Sequence, residues 1–217
     1  MIDTAASPFV RHRRLLDSYR RWIDAGGDDG EFVELVEQLD RAVAAVDGCG
    51  FTTTPFASRP ELAQAAGLDG LDVWVKDETG NVAGSHKGRH LFGLLLHLVT
   101  AERRSGVSRD DERPPLAIAS CGNAALAAAV IARAVERRLL VFIPVDANPD
   151  VVVRLRELGA DITECPREPG VAGDPAYLAF RRALDEGAVA FSCQGTDAPD
   201  TIDGGRTIAW EMAEQLA

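Results

Sequence analysis

The chain has 217 residues, 46% apolar and 26% charged, with 20 Gly and 11 Pro; it is long enough to bury a core, and its Gly and Pro fall below the ~25–30% that marks low complexity. A formal charge of −11 repels phosphate backbones, and the basic cluster of Arg11, Arg13 and Arg14 is offset by Asp28, Asp29 and Glu31, so no nucleic-acid partner is expected. The apolar stretch Leu91–Val99 is broken by Gly93 and His97, far short of the ~20 residues of a membrane span, and residues 1–14 lack the apolar core of a secretory signal. The expectation is a cytoplasmic protein with no membrane association.

In chain order, helical spacing runs through 8–24 (Leu15, Tyr19, Trp22) and 31–46 (Phe32, Leu35, Val36, Leu39, Val43), with a loop between them. Residues 48–58 read as extended, with Pro55 as a breaker, and 60–67 as a short helix ending at Gly67. From there strands and helices alternate. Strands are predicted at 73–76, 116–119, 139–145, 161–164 and 189–192, and helices at 86–104, 124–137, 149–158, 174–186 and 203–216. The pattern predicts an α/β fold, a mostly parallel sheet with helices on both faces. Residues 105–115 read as a polar crossover loop. A Rossmann signature is missing, because Gly48-Cys49-Gly50 has no third glycine and does not join a strand to a helix. The final helix stops without a capping glycine. That reads either as a chain cut within a βα rhythm or as a terminal helix that frays.

Cys49, Cys121, Cys165 and Cys193 are widely spaced with no C-x-x-C pair, so buried free thiols are expected rather than disulfides or a metal site. Of 23 basic residues 21 are Arg; the two lysines are Lys76 and Lys87. Unlike Arg, a lysine amine can lose its proton and attack a carbonyl, although composition alone leaves chance survival of two lysines an equal reading. The neighbourhood of Lys87 is more telling. Residues 73–90 run from a strand through a polar loop to Ser85, a plausible N-cap, and Lys87 then opens a helix. The positive end of the helix dipole is a poor place for a structural cation and a good one for a nucleophilic amine. His86 beside it can stack or hydrogen-bond. In 116–134 an apolar strand ends in Ser120-Cys121-Gly122-Asn123 and a small-residue helix follows at once. Backbone N–H groups at such a turn suit a carboxylate or a phosphate. An Asn N-cap on a packing helix is the alternative for this segment by itself.

Together these segments resemble pyridoxal-phosphate enzymes of the tryptophan-synthase-β type (fold type II), a group that includes threonine synthase, threonine ammonia-lyase and cysteine synthase. The likeness starts at Thr54-Pro55 and continues through Lys76-Asp77-Glu78, the lysine motif Asn81–Arg89 and the loop Ser120–Asn123. It then takes in Phe142-Ile143-Pro144, Leu155–Ala160 and Gly204–Glu211. The resemblance implies pyridoxal 5'-phosphate as cofactor and a lyase acting on a small amino acid by Cα deprotonation with β/γ elimination or replacement. Lys87 matches the lysine that binds the cofactor covalently and shuttles the Cα proton. His86 and Asn123 match cofactor-binding positions, Asn123 toward the ring hydroxyl oxygen, and Ser120, Cys121, Gly122 and Asn123 match the loop that grips the substrate carboxylate. Arg89 looks structural.

The implied organisation is an N-terminal helical segment (1–50), part of a large cofactor domain (51–105), a small α/β domain (115–195) and a return helix (196–217). Homodimers are common in the family. Val82, Ala83 and His86 depart from the usual lysine motif, whereas Ser120–Ala125 looks threonine-synthase-like, which leaves the substrate open. The family's glycine-rich phosphate loop and pyridine-nitrogen partner would follow Leu216 and are not in this sequence. An incomplete chain is therefore expected, and a fragment or ligand-binding module that no longer holds the cofactor is the alternative.

Overall fold

The computed structural model describes residues 7–68, 70–106 and 113–216. Helices α1 (Pro8–Arg11), α2 (Asp17–Asp24) and α3 (Asp29–Asp47) come first, followed by β1 (Phe56–Ser58), α4 (Pro60–Ala65) and β2 (Trp74–Lys76). Then come α5 (Lys87–Arg104), β3 (Leu116–Ala119), α6 (Asn123–Ala134), β4 (Leu139–Pro144) and α7 (Pro149–Glu157). β5 (Asp161–Cys165), α8 (Pro175–Asp185), β6 (Val189–Ala190) and α9 (Thr201–Leu216) complete the chain.

Four strands form a parallel sheet in the order β5-β4-β3-β6, with Leu116 opposite both Leu139 and Val189. Side-chain alternation divides its two faces. Ala117, Phe142 and Cys165 meet Ala179, Phe180 and Ala183 of α8 on one face. Leu116, Ile118, Val141 and Ile143 join the main core with the alanine-rich α6 and with α7 on the other. Helices thus cover both faces, as expected.

Three expectations need correction. The helix over 8–24 is broken at Leu16, which is extended (ψ 137°) and fully buried. Asp203 of α9 caps the restart, its carboxylate accepting the N–H groups of Asp17 (3.0 Å) and Ser18 (3.2 Å). The strand over 73–76 lies outside the parallel sheet and pairs antiparallel with β1, Phe56 opposite Lys76. Of the cysteines, all free, only Cys165 is fully buried, and Cys121 is exposed. Most of the predicted loop 105–115 lies outside the described residues.

Helices α5 and α9 cross at glycines. A Cβ on Gly93 would overlap the Gly204 backbone, and one on Gly204 would overlap the Arg89 carbonyl. This crossing brings α9 beside the first turns of α5, where Lys87 and Arg89 lie. Among the described residues no helix is long and apolar enough to cross a membrane.

Candidate active site

Lys87 is half-buried in the first turn of α5. The N-cap position falls on His86 rather than Ser85, but the Ser85 Oγ accepts the Lys87 N–H at 3.4 Å. The turn before it packs too closely for a side chain at the next position. A Cβ on Gly88 would stand 2.9 Å from the Val82 carbonyl oxygen and 3.3 Å from the Phe51 ring.

The two lysines differ in their commitments. Lys76 Nζ donates to Glu211 Oε2 (2.6 Å), the Thr54 carbonyl (2.8 Å) and Gln215 Oε1 (2.9 Å). Lys87 Nζ has no hydrogen-bond or ion-pair partner among the described residues; the recorded contacts of Lys87 are through its backbone. The titratable groups that sense its charge include Cys193, His86 and His90. Burial pushes the Cys193 thiol up to about 11, with the Lys87 cation pulling the other way. His86 and His90 both sit below the ordinary imidazole value, first through desolvation of their rings. The Lys87 charge adds to the effect on His86, and on His90 it outweighs a raising hydrogen bond to the Thr201 carbonyl only together with that desolvation. A primary amine without a counter-ion among the described residues is available to a carbonyl partner.

The Ser120–Asn123 turn rises from the carboxyl end of β3. The Ser120 N–H bonds the Phe142 carbonyl at 3.2 Å, prolonging the ladder with β4. Gly122 takes the N-cap (φ −142°, ψ −146°), and the exposed Asn123 is the first helical residue rather than the cap. The Leu126 N–H makes the first return bond, to the Gly122 carbonyl at 3.1 Å. The N–H groups of Asn123, Ala124 and Ala125 have no backbone acceptor among the described residues, and such groups at a helix start favour an anion.

The sheet brings this turn and Lys87 to one end of the molecule. β6 lies parallel beside β3, with the Phe191 N–H on the Ala117 carbonyl at 2.8 Å. Two residues later the Cys193 Sγ lies 3.9 Å from the Lys87 carbonyl. Lys87 therefore stands beside the segment that follows β6, the parallel neighbour of β3, on the side where ligands of open α/β sheets bind. Ser120 and Cys121 also line a cavity of about 540 Å³ on the α8 face, with Phe142, Cys165 and Arg167; Lys87 does not line it.

A second constellation is less visible in the sequence. Arg89 is fully buried. Its Nε and Nη2 donate to Glu78 (2.7 and 3.0 Å), and its Nη1 and Nη2 donate to Glu211 (2.7 and 3.1 Å). Lys76 shares Glu211, the Thr54 hydroxyl bonds Glu78, and Thr207 accepts from Arg89 at 3.2 Å. Two cations and two carboxylates balance out of water, a requirement for keeping them buried. Burial alone would raise the Glu78 carboxyl, but hydrogen bonds from Arg89 and Thr54 outweigh it and hold the group below its ordinary value. One signal was available in α9: Thr201, Gly204, Thr207 and Glu211 put polar or small residues along a single helical stripe, and all four are buried.

The donor set fits pyridoxal phosphate. Among the described residues the Lys87 amine, the Asn123 amide and the first N–H groups of α6 have no partner, and they match its aldehyde, its ring hydroxyl oxygen and an anionic group in turn. Comparison with known proteins agrees. Over 174 residues the chain is 28% identical to L-threo-3-hydroxyaspartate ammonia-lyase from Pseudomonas sp, a match that covers 80% of this chain and 49% of that one. Cysteine synthase B of Salmonella typhimurium is 30% identical over 105 residues, 48% of this chain and 33% of its own length. The chain thus spans half or less of the curated relatives it matches. Diaminopropionate ammonia lyase from Escherichia coli superposes with a TM-score of 0.61 at 19% identity, covering 86% of this chain and 52% of that one. For maize serine racemase the values are 0.57 and 22%, over 83% and 50%. At those identities the likeness establishes the fold. The family description "Pyridoxal-phosphate dependent enzyme" matches residues 50–217, which include both segments just described, and the chain belongs to that family.

Proposed function

We propose that this chain acts on a small amino acid by Cα deprotonation followed by β/γ elimination or replacement, with Lys87 as the residue that holds pyridoxal phosphate. The observation that carries the reading is the contrast between the two lysines: Lys76 is bound by three acceptors, while Lys87 is uncommitted at the carboxyl end of the sheet. When bound, the cofactor supplies an electron sink for charge developing at Cα. Lys87 Nζ takes the Cα proton and returns it later, and positioned proton transfer of this kind contributes ~10²–10⁴ in rate. The Asn123 amide and the ring of His86 orient the cofactor. The N–H groups at the start of α6, with Ser120, Cys121 and Gly122, take the substrate carboxylate.

β-Hydroxy amino acids of the threonine or 3-hydroxyaspartate kind are the first substrates to test, a choice supported by the ammonia-lyase relative. A homodimer completes the reading, on the strength of the family resemblance, and light scattering measures it.

Borohydride trapping tests the core of the proposal. The chain is incubated with pyridoxal phosphate, reduced, digested and mapped by mass spectrometry. The expected result is an adduct on Lys87 well above Lys76, lost in Lys87→Ala. Equal labelling of the two lysines, or none, overturns the assignment. Amino-acid binding without an adduct would instead mark the α6 turn as a carboxylate site alone.

A further inference from the structure

Ala83, four residues before Lys87, has left-handed backbone angles (φ 55°, ψ 26°). A side-chain-bearing residue avoids that region, and Ala has no polar side chain to stabilise itself there. Gly84 follows at φ 62° and Ser85 returns to extended backbone (φ −163°), so Ala83 sets the direction in which the chain enters α5. What holds Ala83 comes from far away in sequence. The Ala83 N–H donates to the Asp47 Oδ2 at 2.8 Å. Asp47 is the last residue of α3, the negative end of the helix dipole, where a carboxylate is disfavoured unless something needs it. The Cys49 thiol, kept protonated by burial and then by Asp47, donates to the same oxygen at 3.6 Å and fixes it further.

We infer that Asp47 is a positioning residue: by gripping the Ala83 N–H it stabilises the left-handed turn that presents Lys87 to its cofactor. This inference rests on the assignment of Lys87 made above. Asn81 and Glu78 brace the other side of the same loop. The Asn81 side chain accepts the Val82 N–H (2.9 Å) and donates to Glu78 (3.0 Å), which in turn holds Arg89. Asp47 is the tie to α3, and it acts on the non-glycine residue of this loop whose backbone resists its conformation.

The test measures two things in the same proteins: the rate of borohydride-trapped adduct formation at Lys87, and amide hydrogen exchange at Ala83 without cofactor. Asp47→Ala is expected to slow trapping about tenfold and to speed Ala83 exchange by a similar factor, the scale of losing a hydrogen bond to a charged acceptor. Asp47→Asn keeps an acceptor oxygen and should stay within about threefold of the parent. Adding Ala83→Gly to Asp47→Ala should restore most of the trapping rate, because glycine adopts the left-handed turn without help. If Asp47→Ala does not fold, Ala83→Val carries the test, since a β-branched residue cannot hold these angles and should slow trapping more than tenfold.

A parent that labels at Lys87 with an unchanged rate in Asp47→Ala, or in Ala83→Val, overturns the inference. So does a slow Asp47→Ala whose Ala83 amide stays protected and which Ala83→Gly does not rescue, since the loss then lies elsewhere. A parent that forms no Lys87 adduct overturns the lysine assignment itself. That failure is distinct, because it appears before any variant is made.

Discussion

Arg89 illustrates what a buried charge demands at the scale of one residue. Its guanidinium has no solvent and satisfies both Glu78 and Glu211, so removing it strands two carboxylates with Lys76 as their remaining cation. Arg89→Met keeps the volume and loses the charge; breaking a buried network in this way costs about 3–5 kcal/mol. Urea unfolding at pH 7 should show that loss. Glu78 gives the effect a pH signature. Its folded value lies below the ordinary 4.5, so its stabilisation is complete above 4.5 and fades as pH falls through the lower folded value. The gap between parent and Arg89→Met should therefore narrow in unfolding curves recorded at progressively more acid pH below 4.5. A gap that widens on acidification would contradict the network. That Lys87 opens a helix and that Ser120–Asn123 joins a strand to one were legible in the sequence, because both are local patterns. The Arg89 network was not, because Arg89 and Glu211 are brought together only by the packing of α5 on α9.

Between elements, the decisive contact is the glycine crossing of those two helices. Ala is the better helix former, so Gly204→Ala in a free helix would gain about 1 kcal/mol. Here the new methyl would overlap the Arg89 carbonyl and force the helices apart, at a cost of about 1–3 kcal/mol from strain alone and more if the Arg89 bonds to Thr207 and Glu211 open. Net destabilisation in chemical denaturation is the expected outcome, and a stabilised Gly204→Ala would mean that the helices are not in backbone contact. The same crossing explains why the helix predicted over 8–24 failed. Only part of its apolar stripe faces the core, Trp22 being buried and Leu15 exposed, and the break at Leu16 is dictated by Asp203, a capping carboxylate on α9. Periodicity along one segment carries no information about a cap supplied by another. Where the cap is local the ends were easier to place, as at α3, where the Asp28 carboxylate accepts the Glu31 N–H at 2.9 Å.

For the molecule as a whole, strand alternation identified the parallel sheet but not the separate β1–β2 pair, since a strand's own residues do not name its partner. The antiparallel pair is extended on either side by the Asp77 N–H on the Pro55 carbonyl (2.9 Å) and the Arg59 N–H on the Val73 carbonyl (2.7 Å). Lys76, reaching Thr54 and Glu211, ties it to α9. Three of the four thiols sample this architecture at different depths. Cys121 is exposed on the α6 turn, Cys165 is buried between the sheet and α8, and Cys193 lies under Lys87. At pH 8 a thiol held at about 11 is only about 10⁻³ thiolate, the form that alkylates. Iodoacetamide should therefore modify Cys121 first in the folded protein, with Cys193 and Cys165 reacting only after urea releases them. Mass spectrometry of timed samples follows each site. If Cys193 reacted as fast as Cys121, the carboxyl end of β6 would not be packed against the turn that carries Lys87, and the common end on which the proposed chemistry depends would be lost with it.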